Sequence, residues 1–121
     1  MNTSVLIADD NPAVRSLLIR LIRRACPQAR IVDVESARAA LDVYGREQPK
    51  IVLLDHGLPD MSGFSVLRHL KVQRQAPYVI MITGNPSLEA EARACGADEV
   101  WLKPMDVSAM LRQLTGILPT A

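Results

Sequence analysis

Short apolar runs alternate along this chain with longer segments whose apolar residues recur every three or four positions. Val5–Ala8 (VLIA) is the first run, and it ends on Asp9 and Asp10. After Pro12, the residues Val14, Leu17, Leu18, Leu21, Ile22 and Ala25 share one side at helical spacing, with Arg15, Arg20, Arg23 and Arg24 largely opposite. That spacing predicts a first helix, stopped at Pro27. Ile31–Val34 (IVDV) is a second run, and Ser36 is a cap for a helix through Ala37, Ala40, Leu41 and Tyr44, with Gly45 and Pro49 bracketing its exit. Ile51–Leu54 (IVLL) is apolar throughout, as a strand covered on both faces should be. A turn-rich loop and a helix carrying Phe64, Val66, Leu67 and Leu70 follow. Tyr78–Ile82 (YVIMI) ends at Thr83 and Gly84, and a shorter helix, from about Pro86 to Ala94, is rich in alanine and charge and should pack less deeply. Val100–Leu102 (VWL) ends at Lys103–Pro104, before a last helix with Val107, Met110, Leu111 and Leu114 at the right spacing.

Five strands alternating with five helices through short connections imply a parallel sheet with right-handed crossovers, a three-layer α/β domain. The 121 residues suit a single domain over 1–121, with 118–121 (LPTA) as the start of a linker or a free tail. A chain ending so soon after its fifth helix is expected to be either a single-domain protein or one domain of a longer one. Its start reaches acidic residues too early for a secretory signal, and no apolar run approaches the ~20 residues that span a bilayer. The formal charge of +1 gives no electrostatic case for nucleic acid or an anionic membrane. Cys26 and Cys95 lack CxxC spacing and read as two reduced thiols in the cytoplasm; His56 and His69 stand alone, without a zinc cluster.

The chemistry lies in how the apolar runs end. In a parallel sheet, the residues just past the carboxyl ends of the strands gather along one rim, where ligands bind at the switch point of strand order. Strand one ends on Asp9–Asp10, strand three on Asp55, strand four on Thr83 and strand five on Lys103; strand two ends on Glu35 and Ser36. Taken singly, each has an ordinary reading: Asp9–Asp10 as a helix cap, Asp55 and Thr83 as turn residues, Lys103 as a solvated charge. Taken together, three carboxylates this close repel one another unless a cation neutralises them. Oxygen-only ligands suit a hard ion, and few carboxylates beside a phosphate suit Mg²⁺ better than Ca²⁺. A lysine and a threonine opposite add a positive charge and a hydroxyl donor for phosphoryl oxygens. Asp55, alone at its strand end, is placed to act as a nucleophile and form an aspartyl phosphate.

With LIADDNP, LLDHGLPDMSG, MITG and GADEVWLKP on the page, the chain resembles the receiver domain of two-component response regulators over essentially its whole length. The resemblance implies a flavodoxin-like strand order 2-1-3-4-5 with five helices. It implies that Asp55 accepts a phosphoryl group from a histidine kinase or histidine phosphotransfer protein. Mg²⁺, with Mn²⁺ as a substitute, would be held by Asp10 and Asp55, by the Gly57 backbone carbonyl, and by Asp9 mainly through water. Thr83 and Lys103 would contact the phosphoryl oxygens. A cis bond between Lys103 and Pro104 is implied as well, X-Pro being the usual place for one. The expected protein is a cytoplasmic phosphoacceptor rather than an enzyme acting on other substrates. It would be a monomer or a phosphorylation-dependent homodimer, acting through an effector protein or output domain.

One departure concerns the switch. Receivers commonly carry Tyr or Phe three residues before the lysine, where this chain has Val100; Trp101 is next door, but strand alternation sends it to the opposite face. Met105 is a smaller departure at a position often aromatic. Ile19 lies off the apolar stripe of the first helix; a scattered exposed isoleucine is ordinary, and the alternative is part of a docking patch for the phosphodonor. The arginines of that helix read as a solvated face. Two other classes remain as alternatives. A Mg²⁺-dependent aspartyl-phosphate phosphohydrolase would want a DxD pair on strand one and a substrate cap. A flavodoxin-like cofactor binder would want glycines and donors where DDNP presents anions.

Overall fold

The computed structural model describes residues 3–119. Five strands, β1 (Ser4–Ala8), β2 (Arg30–Val34), β3 (Ile51–Asp55), β4 (Tyr78–Thr83) and β5 (Glu99–Leu102), form one sheet in the order β2-β1-β3-β4-β5, every pair parallel. The helices are α1 (Pro12–Ala25), α2 (Ala37–Glu47), α3 (Gly63–Lys71), α4 (Glu89–Ala94) and α5 (Val107–Ile117). This is the three-layer doubly wound architecture that the run pattern predicts.

Strand alternation divides the core in two. Leu6, Ala8, Val52, Leu54, Val79, Met81 and Val100 pack with residues of α2, α3 and α4, whereas Val5, Ile7, Ile51, Leu53, Ile80, Ile82 and Trp101 pack with α1 and α5. Because β1, β3 and β4 are covered on both faces, their apolar runs are continuous rather than alternating. At one edge β2 is only half-buried, which is why Asp33 can sit within it. The Trp101 indole N–H donates to Gln113 Oε1 on α5, giving the buried ring its polar partner.

Gly45 and Pro49 bracket the exit of α2 as expected: the helix runs through the glycine to Glu47, carried by the burial of Val43 and Tyr44, and the left-handed turn falls on Gln48, at φ 46°. Other local expectations need correcting. The fourth helix begins with a 3₁₀ turn, Pro86–Leu88: Pro86 has no N–H to give, and the Asn85 amide oxygen accepts from both the N–H and the hydroxyl of Ser87. Ile19 is not an isolated exposed residue; it is half-buried against the α1–α5 cluster. Val107, at the first turn of α5, is exposed rather than in the core. Leu118, just beyond α5, is buried and Pro119 is exposed; the rest of the expected tail, 120–121, lies outside the described residues.

Candidate functional site

The register of the sheet brings the polar strand ends abreast. Ala8 pairs with Leu54, so the next residues, Asp9 and Asp55, leave β1 and β3 side by side. Asp55 is opposite Ile82 and Thr83 opposite Leu102, so β4 and β5 deliver Thr83 and Lys103 to the same rim. The Lys103 N–H donates to the Thr83 carbonyl at 2.9 Å, continuing the ladder one residue past the strand. The acidic cluster therefore lies between β1 and β3, where the connections diverge to opposite faces, the usual ligand position in an open parallel sheet.

Carboxylate oxygens of Asp9, Asp10 and Asp55 lie within 4.8 Å of one another. Asp9 and Asp55 are buried, 1% and 6% exposed, and Asp10 is open to solvent. Asp9 Oδ1 accepts the Asn11 N–H at 2.8 Å, while its Oδ2 is buried without a hydrogen-bond partner. Burial first, then the charges of Asp55 and Asp10, push the Asp9 carboxyl above the ordinary range, against the opposing Asn11 N–H and Lys103. Lys103 Nζ is 3.7 Å from Asp55 Oδ1 and 4.0 Å from Asp9 Oδ2. These contacts are longer than hydrogen bonds, so the ammonium donors are not committed to either carboxylate. An unpartnered buried oxygen and three converging acids, with the Lys103 ammonium beside two of them, fit a hard divalent ion.

The helix-cap reading of Asp9–Asp10 falls to Asn11, whose side chain accepts from the N–H groups of Ala13 and Val14 ahead of Pro12 at the first helical position. Thr83, fully buried, accepts the Asn85 N–H on Oγ1 at 3.1 Å, which leaves its hydroxyl hydrogen free to donate. The Lys103–Pro104 bond is cis. Val100, 8% exposed, packs in the α2–α4 core and borders a groove of about 300 Å³ shared with Leu102, Met105 and Met110.

Two residues that organise the site do not stand out in the sequence. Arg15 does not belong to a solvated face: its guanidinium donates to the Asp9 carbonyl at 2.8 Å and to Asp33 Oδ2 on β2 at 3.0 Å. It thus braces the backbone of the acidic strand end against the neighbouring strand. Asp60, in the loop after β3, accepts the N–H groups of Ala37 and Arg38 at the start of α2, at 2.8 and 2.9 Å. The Arg38 and Ala37 N–H groups hold its carboxyl below the ordinary range. Gly63 is required by close approach: a Cβ there would lie 2.5 Å from both the Asp55 carbonyl oxygen and His56 Cα. Gly57 and Gly84 meet no such obstacle.

A parallel α/β domain with an acid cluster at the switch point and a lysine facing it defines a class, and comparison with known proteins identifies the family within it. Residues 5–115 match the model of the response regulator receiver domain, and the chain belongs to that family. It is 31% identical to sporulation initiation phosphotransferase F of Bacillus subtilis, covering 98% of this chain and 96% of that protein. It is 33% identical to transcriptional regulatory protein KdpE of Mycobacterium tuberculosis over 93% of this chain, but it spans only 49% of that relative. In fold it matches the signal receiver domain of a DNA-binding response regulator from Colwellia psychrerythraea, with TM-score 0.89 at 23% identity over 96% and 98% of the two chains. A CheY-like receiver from Methanospirillum hungatei gives 0.84 at 25% identity over 96% and 93%. Among the described residues no helix is long and apolar enough to cross a membrane.

Proposed function

We propose that this receiver accepts a phosphoryl group on Asp55 and uses the modification to change which partner it binds. The observation that carries the reading is the placement of Asp55: a buried carboxylate with Asp9 and Asp10 oxygens within 4.8 Å and the Lys103 ammonium 3.7 Å away. Asp9, Asp10, Asp55 and the Gly57 carbonyl would hold Mg²⁺, or Mn²⁺ in its place, which would supply positive charge against the oxygens of the transferring group. A carboxylate oxygen of Asp55 attacks phosphorus in line, and the bond from phosphorus to the donor nitrogen breaks with its electron pair staying on the donor imidazole. Lys103, with uncommitted donors, and Thr83, with a free hydroxyl hydrogen, contact the phosphoryl oxygens opposite the metal side.

The donor in this reading is a histidine kinase or a histidine phosphotransfer protein in the cytoplasm. Support comes from the family and from a near full-length relative whose name is that of a phosphotransferase. The protein acts as a single receiver domain over 1–121, monomeric or dimerising when phosphorylated, and passes the signal to an effector protein or output domain. With Val100 where an aromatic switch usually stands, Thr83 and its hydrogen-bonded neighbour Asn85 carry the conformational response. Lys103→Ala is expected to leave slow phosphorylation in place but uncouple it from that response. Amide chemical shifts of residues 83–88 should then stay put when the variant is phosphorylated, and full wild-type shifts would refute the role.

The reading is tested by incubating the protein with acetyl phosphate, with and without Mg²⁺, and measuring intact mass. A Mg²⁺-dependent adduct of one phosphoryl group is expected, with no multiple turnover of p-nitrophenyl phosphate. Sustained hydrolysis of that ester would favour a phosphohydrolase.

A further inference from the structure

The loop from His56 to Gly63 carries the second half of the site, and it is held at three points. At its base the Gly63 N–H donates to the His56 carbonyl at 2.9 Å. In its middle Leu58 is buried in the core shared with α2 and α3. At its far side Asp60, itself exposed, reaches a different element, one carboxylate oxygen accepting from Ala37 and the other from Arg38. The next N–H of α2, that of Ala39, is taken by Ser36 Oγ at 3.1 Å, so the helix already has a local cap. The Asp60 contacts span 22 and 23 residues and tie a loop to a helix rather than only ending a helix.

Gly57 lies inside this loop, exposed, and a Cβ built on it would find nothing within 4 Å. No side-chain packing of its own can fix its backbone, so its position is set by what holds its flanks. We propose that Asp60 is a positioning residue for the metal site: its double bond to the start of α2 fastens the loop so that Gly57 can present its backbone carbonyl beside Asp55. This rests on the Mg²⁺ reading above. A charged acceptor shared between two backbone donors at a helix N-terminus is a strong tie for an exposed residue, since both the hydrogen bonds and the helix dipole favour the carboxylate. Partners behind a metal's ligands typically matter roughly 10–100-fold for its affinity.

Mn²⁺ titration followed by the electron paramagnetic resonance of the free ion tests this in wild type, Asp60→Ala, Asp60→Asn, Ser36→Ala and Asp55→Asn. Asp60→Ala is expected to weaken Mn²⁺ binding about tenfold. Asp60→Asn, which keeps one acceptor oxygen, should fall between it and wild type. Ser36→Ala uncaps the same helix without freeing the loop and should bind as wild type does. Hydrogen exchange of the Ala37 and Arg38 amides should be slow in wild type and fast in Asp60→Ala. The proposal is overturned if Asp60→Ala binds Mn²⁺ as tightly as wild type, or if Ser36→Ala loses as much affinity as Asp60→Ala. If wild type and Asp55→Asn bind alike, the metal reading itself fails and takes this inference with it.

Discussion

Gly63→Ala should destabilise the protein by about 2 kcal/mol, although alanine is the better helix former. Propensity alone favours the substitution by up to about 1 kcal/mol in a helix interior. Against that, the new Cβ would meet two backbone atoms, the Asp55 carbonyl oxygen and His56 Cα, both at 2.5 Å. Neither belongs to a flexible side chain, so the start of α3 and the end of β3 must part, a strain on the order of 3 kcal/mol. The sterics win. The same displacement would disturb the proposed phosphoacceptor, since the obstructing oxygen is that of Asp55. Gly45→Ala is the matched control: it lies inside α2 with nothing within 4 Å of its Cβ, and should stabilise by about 0.5–1 kcal/mol. Urea unfolding of both variants checks the pair, and a stabilised Gly63→Ala would contradict the close approach.

Divalent cation should be the other large lever on stability. At a hundred times its dissociation constant, Mg²⁺ adds about 2.7 kcal/mol to the folded state. Asp10→Asn should lose most of that gain, because it removes the solvent-facing member of the acid cluster. The effect should also depend on pH in a definite sense. The folded-state pKa of Asp9 is raised above its unfolded value of 3.8, so between those two pKa values the folded protein binds more protons than the unfolded one. Metal-free stability therefore declines as pH rises through that window, and the penalty is complete above it. Bound Mg²⁺ offsets this penalty, so the stabilisation it gives should grow over the same window and level off above. Asp60 behaves oppositely: its lowered pKa gives a contribution present above 3.8 and lost as pH falls through its folded value. Denaturation midpoints across a pH series, with and without Mg²⁺, separate the two. A Mg²⁺ gain that is the same in wild type and Asp10→Asn would remove the metal from this cluster.

The polar ends of four strands were legible in the sequence because each terminates a short apolar run, and a parallel sheet can gather such ends only on one rim. The two-sided burial of β1, β3 and β4 was legible for the same reason. Arg15 and Asp60 were not. Arg15's carboxylate partner and both partners of Asp60 are 18 to 23 residues away on other elements, and nothing in local periodicity separates such side chains from solvated ones. Ile19 misled because a stripe drawn for one buried face is too narrow for a helix packed against both the sheet and α5. The φ of Gly63 is not positive; what demands glycine there is the backbone at the end of β3 passing directly beside it, a contact no local pattern announces.

The role proposed for Asp55 as phosphoacceptor is tested most directly by comparing wild type with Asp55→Asn after acetyl phosphate and Mg²⁺, by intact mass and then by adduct stability. One phosphoryl group is expected on wild type, stable in acid and released by base as an acyl phosphate is, and none on Asp55→Asn. An Asp55→Asn protein that carries the same adduct as wild type would contradict that role.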